Sequence, residues 1–280
     1  MCLRYFRVVD KFVSGKLLLF GEYAILSGGN ALSIPSPNYG GRLKLGAINT
    51  SQIESNRSLS QFQQFLINDF SYYLNLAALE NDLAQGLYFD SNIPVGSGIG
   101  SSAAVAAAIL HEYGMRIPSE FSEKLDLFQQ IEGYFHGKSS GIDLLTSYEN
   151  SALLISAGQV SRVDVDVAFY SQKFKLIQSS KKSNTAEKVA IFQAQNKKFK
   201  QEFQDNYIFQ SNVAIQAFLD KNLDTLKKAL VQLSEFNYTK MPWVVPADLQ
   251  ADWKKSLEHS VVIYKCCGSG GGGFCYQWFI

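Results

Sequence analysis

Residues 91–110 read SNIPVGSGIGSSAAVAAAIL. An apolar run closes at Asn92-Ile93-Pro94, glycine and serine dominate the next residues, and small apolar side chains then continue at helical spacing. Helix N-termini carry partial positive charge and expose N–H groups that lack intrahelical partners, and glycines let backbone approach a ligand closely. The pattern predicts a strand, an anion-cradling loop over Pro94, Gly96, Ser97, Gly98, Ile99, Gly100 and Ser101, and a helix from about Ser102 to Tyr113. A plain turn closed by a serine N-cap would account for only part of the run. A Walker loop is excluded because no lysine precedes Ser101 or Ser102. Gly98-x-Gly100-x-x-Ala103 and Gly268-x-Gly270-x-x-Gly273 match loose dinucleotide patterns, but the first does not open a βαβ unit and no helix can follow the second.

The bounds set by composition agree with a small-molecule partner. A chain of 280 residues allows one large domain or two modest ones. Its 46% hydrophobic and 18% charged content is that of a folded protein. A net charge of +1 without like-charge blocks gives no footprint for nucleic acid or a membrane surface. The N-terminal residues are too polar and interrupted for a signal peptide, so a cytoplasmic location is expected. Cys2, Cys266, Cys267 and Cys275 lack metal-ligand spacing and read as reduced, buried thiols. His111, His136 and His259 form no metal-binding pair.

Along the chain, residues 5–50 read as strands joined by turns. Phe62, Phe65, Leu66, Phe70, Tyr73 and Leu74 recur at spacings of three and four, which predicts a helix over 59–79. GLYFDSNI returns as a strand before the glycine loop. A helix over 119–133 follows, then strands at SALLISAG and SRVDVDV. After Phe169 come a strand at KFKLIQSS, helices over 185–204, 207–234 and 248–258, and a closing strand-loop-strand across SVVIYKCC, GSGGGG and FCYQWFI.

Three segments, SGKLLLFGEYAILSGGNALSIP (14–35), PVGSGIGSSAA (94–104) and KCCGSGGGGF (265–274), resemble in order and position the three signatures of the GHMP kinases. This is the family named for galactokinase, homoserine kinase, mevalonate kinase and phosphomevalonate kinase. Residues 131–145, IEGYFHGKSSGIDLL, resemble the E-x-x-x-H-G-x-x-S-G-[IV]-D segment of its mevalonate kinases, with Glu132, His136, Gly137, Ser140, Gly141 and Asp143 at matching positions. Gly21-Glu22-Tyr23 is instead the form more usual in phosphomevalonate kinases.

The resemblance implies an α+β fold in two domains, an N-terminal ribosomal-S5-like half over 1–168 and a C-terminal ferredoxin-like half over 169–280. It implies ATP and Mg²⁺ as cofactors and phosphorylation of the primary alcohol of mevalonate, with phosphomevalonate or another small molecule as the alternative substrate. A catalytically silent nucleotide-binding sensor is the rival from another class, and a homodimer is compatible with the resemblance. By the same carry-over, Ser102 and Glu132 hold Mg²⁺, Asp143 takes or orients the proton of the alcohol, and Lys16 stabilises the Asp143 carboxylate and the transferring phosphoryl. Glu22, Tyr23, Gly270 and Gly271 are expected near the substrate, and His136 is expected to be structural. Lys182 and Thr185 fall in a polar stretch before a long helix, where Thr185 also reads as an N-cap.

Overall fold

The computed structural model describes residues 10–46, 49–94, 96–137, 139–166, 169–170, 172–180, 184–259 and 262–280, without the side chains of Ser51 and His136. Cys2 and Lys182 therefore lie outside the described residues, as does the side chain of His136. The elements in order are β1 (Val13–Phe20), β2 (Ala31–Leu45), α1 (Thr50–Asp69), α2 (Leu76–Ala84), β3 (Leu87–Ser91), α3 (Ser101–Tyr113), α4 (Phe121–His136), α5 (Ile142–Glu149), β4 (Ala152–Ser156) and β5 (Gln159–Val163). There follow β6 (Phe174–Gln178), α6 (Thr185–Gln195), α7 (Phe209–Leu219), α8 (Leu223–Thr239), α9 (Gln250–His259), β7 (Ile263–Cys266) and β8 (Phe274–Trp278). The architecture is α+β.

Two compact units are interleaved along the chain. The first comprises Met1–Lys16, Asn38–Ile93 and Gly100–Asn150, and the second Leu17–Pro37, Pro94–Ile99 and Ser151–Ile280.

In the first unit, the end of β2 pairs antiparallel with β3, from Gly41 opposite Ser91 to Leu45 opposite Leu87. Asn92 then fastens the chain leaving β3: its Oδ1 accepts from the Gly40 N–H at 2.8 Å, and its Nδ2 donates to the Asn38 carbonyl at 2.8 Å. The helix α3 is apolar nearly all round, with Ala103, Ala104, Ala106, Ala107, Ala108, Ile109 and Leu110 buried. Such a helix belongs in a core, and its alanines admit close neighbours. It packs against α5, whose Leu144, Leu145, Thr146 and Ser147 are also buried.

The helix predicted over 59–79 is two helices. Its apolar spacing is real, but α1 starts nine residues earlier, at Thr50, under an Asn49–Gln52 capping box. It ends at Asp69, and Asn75 caps α2 by accepting from the Ala78 N–H at 3.1 Å. Phe70, Tyr73 and Leu74 continue the pattern through a turn held by the Leu74–Gly114 bridge.

In the second unit, the start of β2 pairs with β4 and β4 with β5, all antiparallel. A separate antiparallel sheet runs β6-β8-β7. The unit's aromatic core gathers Phe20, Phe174, Phe218, Tyr276 and Trp278. The helices expected over 185–204 and 207–234 are interrupted. The first gives way after Gln195 to a short 3₁₀ turn, and Phe203–Ile208 is π-helical. The second breaks at Asp220–Asn222, where Lys221 takes a φ of 55° and Asn222 caps α8 through the Thr225 N–H at 3.0 Å. Cys266, Cys267 and Cys275 are free and buried, as expected of them. Burial and the nearby Glu22 carboxylate push the Cys266 thiol up to about 12. Among the described residues no helix is long and apolar enough to cross a membrane.

The C-terminal end of α3 is anchored by Tyr113, whose hydroxyl donates to Asp82 Oδ2 at 2.8 Å with both residues buried. Tyr113→Phe leaves that carboxylate short of a donor, a loss of about 1–3 kcal/mol. Urea unfolding of the variant should show a lower midpoint with an unchanged slope; an unchanged midpoint would mean the bond contributes nothing net.

Candidate active site

Both glycine-bearing loops expected to carry function adopt backbone that only glycine takes readily. Gly96, Gly98 and Gly100 have φ of 74°, 80° and 75°. Left-handed residues alternating with right-handed ones are the backbone form of anion-binding nests. Ser97 closes the turn, its N–H donating to the Pro94 carbonyl at 3.2 Å and its Oγ accepting from the Ile99 N–H at 3.4 Å. A Cβ on Gly98 would meet no atom within 4 Å, whereas one on Gly100 would fall 2.8 Å from Lys16 Cγ. Gly100 is the residue before α3, so Ser101 and Ser102 occupy its first turn.

The first unit brings Lys16, Glu132 and Asp143 together. Lys16 projects from β1 with its side chain 10% exposed, and its Nζ lies 2.8 Å from Asp143 Oδ2. Asp143 is 40% exposed and sits in the first turn of α5. It is not the N-cap; Gly141 fills that position in left-handed conformation with φ of 72°. The glycine is needed there because a Cβ would lie 2.9 Å from the Gln129 nitrogen of α4. Glu132, on α4, is almost completely buried.

Burial, reinforced by the negative charge of Asp143, raises the Glu132 carboxyl to about 7. Ser139, Lys16 and the Gly141 N–H pull in the other direction. Ser139 Oγ donates a hydrogen bond to Glu132 Oε2 and accepts from the Gly141 N–H at 3.2 Å.

Among the described residues, two carboxylates against one ammonium leave an excess of negative charge in a partly buried place. That donor set fits a hard divalent cation, as does the oxygen chemistry of Ser102. Among the described residues no group of three or more His, Cys, Asp or Glu could hold a metal. A Mg²⁺ ion, which keeps several waters and takes phosphate oxygens alongside one or two carboxylates, needs no such cluster.

The second unit holds a separate constellation. Glu22 Oε1 pairs with Lys265 Nζ at 2.5 Å, and the two side chains are 2% and 1% exposed. Lys265 also donates to the Cys266 carbonyl at 3.1 Å and lies over the rings of Phe20 and Tyr276. Tyr23 adopts φ of 60° and donates from its hydroxyl to the Ser269 carbonyl at 2.6 Å. Its ring contacts Phe192, and burial raises its phenol. Thr185 Oγ1 is 3.2 Å from Ser269 Oγ, and the N-cap of α6 is Asn184.

The closing glycine loop packs tightly. A Cβ on Gly270 would lie 2.5 Å from the Val244 carbonyl, and one on Gly271 would lie 2.4 Å from Lys188 Cε. A Cβ on Gly273 would lie 2.9 Å from the Ser97 carbonyl, so this loop and the turn at Ser97 abut within the second unit. Lys265 and Ser139 were not singled out from the sequence. The signal for Lys265 was a lone charge inside the apolar run VVIYKCC, while nothing in the spacing distinguished Ser139.

Residues 69–150 match the family described as GHMP kinases N terminal domain. Over those residues the chain is similar to the GHMP kinases. Among its relatives, the mevalonate kinase of Archaeoglobus fulgidus is 28% identical over 182 residues, covering 63% of this chain and 60% of that protein. That of Thermococcus sibiricus is 29% identical over 175 residues, covering 54% and 52%. The chain thus spans little more than half the length of these relatives. The crystal structure of L. major mevalonate kinase in complex with R-mevalonate shares the fold over 96% of this chain and 86% of that one, with a TM-score of 0.67 and 19% identity. Streptococcus pneumoniae phosphomevalonate kinase, in complex with phosphomevalonate and AMPPNP, does so over 98% and 93%, with a TM-score of 0.63 and 16% identity.

Two predictions follow from the charges. An acid whose folded-state pKa is raised stabilises the fold least above that pKa, because ionising it costs more in the folded chain than in the unfolded one. Stability contributed by neutral Glu132 is full below about 4.5 and is lost as pH rises through about 7. Glu132→Gln should therefore raise the metal-free melting temperature at pH 8 and leave it little changed at pH 4, as read by calorimetry; equal shifts at both would contradict the raised pKa. For the Glu22–Lys265 pair, Lys265→Met strands a buried carboxylate and should cost about 3–5 kcal/mol, whereas the Glu22→Met/Lys265→Met double variant should recover most of it in urea unfolding.

Proposed function

We propose that this chain is an ATP-dependent kinase that phosphorylates the primary alcohol of mevalonate. The observation that carries the proposal is the Lys16–Asp143 ion pair at 2.8 Å, in which Asp143 remains 40% exposed while its lysine is largely buried. An N-cap aspartate would have no call for such a partner, and a purely structural pair would have little reason to keep one carboxylate open to a reactant. In this reading Asp143 accepts or orients the hydroxyl proton, and Lys16 holds the carboxylate in place and offsets charge on the transferring phosphoryl. Ser102 and Glu132 would hold Mg²⁺, which when bound supplies charge neutralisation to the phosphate oxygens. The loop over Pro94, Gly96, Ser97, Gly98, Ile99, Gly100 and Ser101 would present backbone N–H groups to the phosphates of ATP.

The finer architecture belongs to the same reading: a ribosomal-S5-like N-terminal domain over 1–168 and a ferredoxin-like C-terminal domain over 169–280. The antiparallel β6-β8-β7 sheet with its covering helices supports the latter. Glu22, Tyr23, Gly270 and Gly271 would line the substrate region. Tyr23 favours a second reading, phosphomevalonate as acceptor, through the Gly-Glu-Tyr sequence that first suggested it. The retention of Lys16, Ser102, Glu132 and Asp143 together argues against a silent sensor, which needs no base.

A coupled ADP-release assay over mevalonate, phosphomevalonate, homoserine and free sugars decides among these. Mevalonate should give Mg²⁺-dependent turnover; turnover with phosphomevalonate alone would establish the second reading, and nucleotide binding without turnover on any acceptor would establish the sensor. Asp143→Asn keeps size and removes basicity, so kcat should fall by about 10²–10⁴ with nucleotide affinity within a few-fold. A fully active Asp143→Asn enzyme would refute the base assignment.

A further inference from the structure

The hydroxyl of Ser139 holds two groups at once. It donates to Glu132 Oε2 and accepts from the Gly141 N–H at 3.2 Å. Glu132 belongs to α4, and Gly141 is the N-cap of α5, the helix that carries Asp143 in its first turn. One side chain therefore ties the buried carboxylate of one helix to the backbone that launches the other. The link is short in sequence, Ser139 following Glu132 by seven positions. It is also braced, because Gln129 Nε2 donates to the Ser140 carbonyl at 3.2 Å and Gly141 lies directly against the Gln129 and Leu125 backbone of α4.

A carboxylate on a flexible two-bond stem can present either oxygen in several orientations. A donor fixed on Oε2 removes that freedom and leaves Oε1 to meet another ligand. Groups that orient a ligating carboxylate in this way commonly account for about 10–100-fold in metal affinity. Ser139 is half-buried, and its Oγ is the atom shared by the Glu132 carboxylate and the Gly141 N–H.

We propose that Ser139 is a positioning residue, orienting the Glu132 carboxylate toward a divalent cation and setting its placement relative to the start of the Asp143 helix. The proposal rests on the kinase reading above, specifically on Glu132 as a cation ligand. Ser139 itself touches neither nucleotide nor acceptor in this scheme.

The test uses the full chain and Mn²⁺ as the probe, titrated by electron paramagnetic resonance with and without ADP. Ser139→Ala should weaken Mn²⁺ binding in the presence of ADP by about tenfold. In turnover assays the Mg²⁺ concentration for half-activation should rise by a similar factor, while KM for the acceptor stays within two- to threefold, roughly the scatter expected of an uninvolved site. Ser139→Thr, which keeps the Oγ, should restore most of the lost affinity. A folded Ser139→Ala protein that binds Mn²⁺ like the parent overturns the proposal, even if its melting temperature falls, because a merely structural serine would move stability alone. If Ser139→Ala does not fold, Ser139→Cys and Ser139→Thr decide it: Mn²⁺ affinity that does not track the strength of the donor overturns it equally. Failure of the kinase reading shows differently, as a parent protein that binds no Mn²⁺ with ADP and turns over no acceptor.

Discussion

The arrangement of the first unit depends on one electrostatic imbalance: among the described residues a single ammonium, Lys16, faces two carboxylates, Asp143 and Glu132. The paired carboxylate stays 40% exposed, while the buried one is pushed toward neutrality. A fold gains nothing from such an excess of like charge, since ionising a buried acid beside another acid is costly. On the proposed reading, a cation and phosphate oxygens would offset that excess. The backbone is fitted to that imbalance. Gly100 is glycine because a side chain would displace Lys16, and Gly141 is glycine because a side chain would drive α5 off α4. These two residues serve clearance, and the left-handed turns they take set where two helices begin.

The second unit shows the opposite solution. Glu22 and Lys265 are each almost fully buried, neutralise each other and have further partners in the Cys266 carbonyl and two aromatic rings. A pair closed off in this way has no charge left over for chemistry. Its effect is on geometry: it joins the turn at Gly21–Tyr23 to β7, from which the closing glycine loop departs. Tyr23 makes the same connection a second time by donating to Ser269 within that loop. Buried ion pairs add little net stability compared with apolar replacements, and their best-attested use is to fix register. The register fixed here includes the approach of Gly273 to Ser97.

Legibility in the sequence followed the locality of the cause. The strand, loop and helix over 91–113 were readable because glycine punctuation, a proline and an alanine run all act within a few residues. The position of Asp143 at a helix start was readable for the same reason. The long helices were overrun wherever apolar spacing continued through a break made by a distant partner. Leu74 pairs with Gly114 across forty residues of sequence, and its apolar character kept the helical pattern alive beyond the true end of α1. Asn75 and Asn222, which cap the helices after two of these breaks, are local signals that periodicity alone passes over. Lys265 and Ser139 were invisible for a different reason. Their importance lies in what they face, and Glu22 lies 243 residues from Lys265.

If the proposed reading holds, phosphoryl transfer explains why so sparse a set of groups can suffice. Its transition state carries dispersed negative charge and needs little covalent help, so alignment and charge neutralisation supply most of the rate. A site for such chemistry is built chiefly from backbone, and its titratable residues can be few provided each is held in one orientation. On that view Lys16, Ser102, Glu132 and Asp143 of the first unit would place charge. Fixing orientation then matters as much as supplying the group. A carboxylate free to rotate would meet a cation in several geometries, only one of which keeps the phosphoryl in line with its acceptor. On the proposed reading, the hydroxyl of Ser139, bound at once to Glu132 and to the start of the Asp143 helix, would apply that constraint.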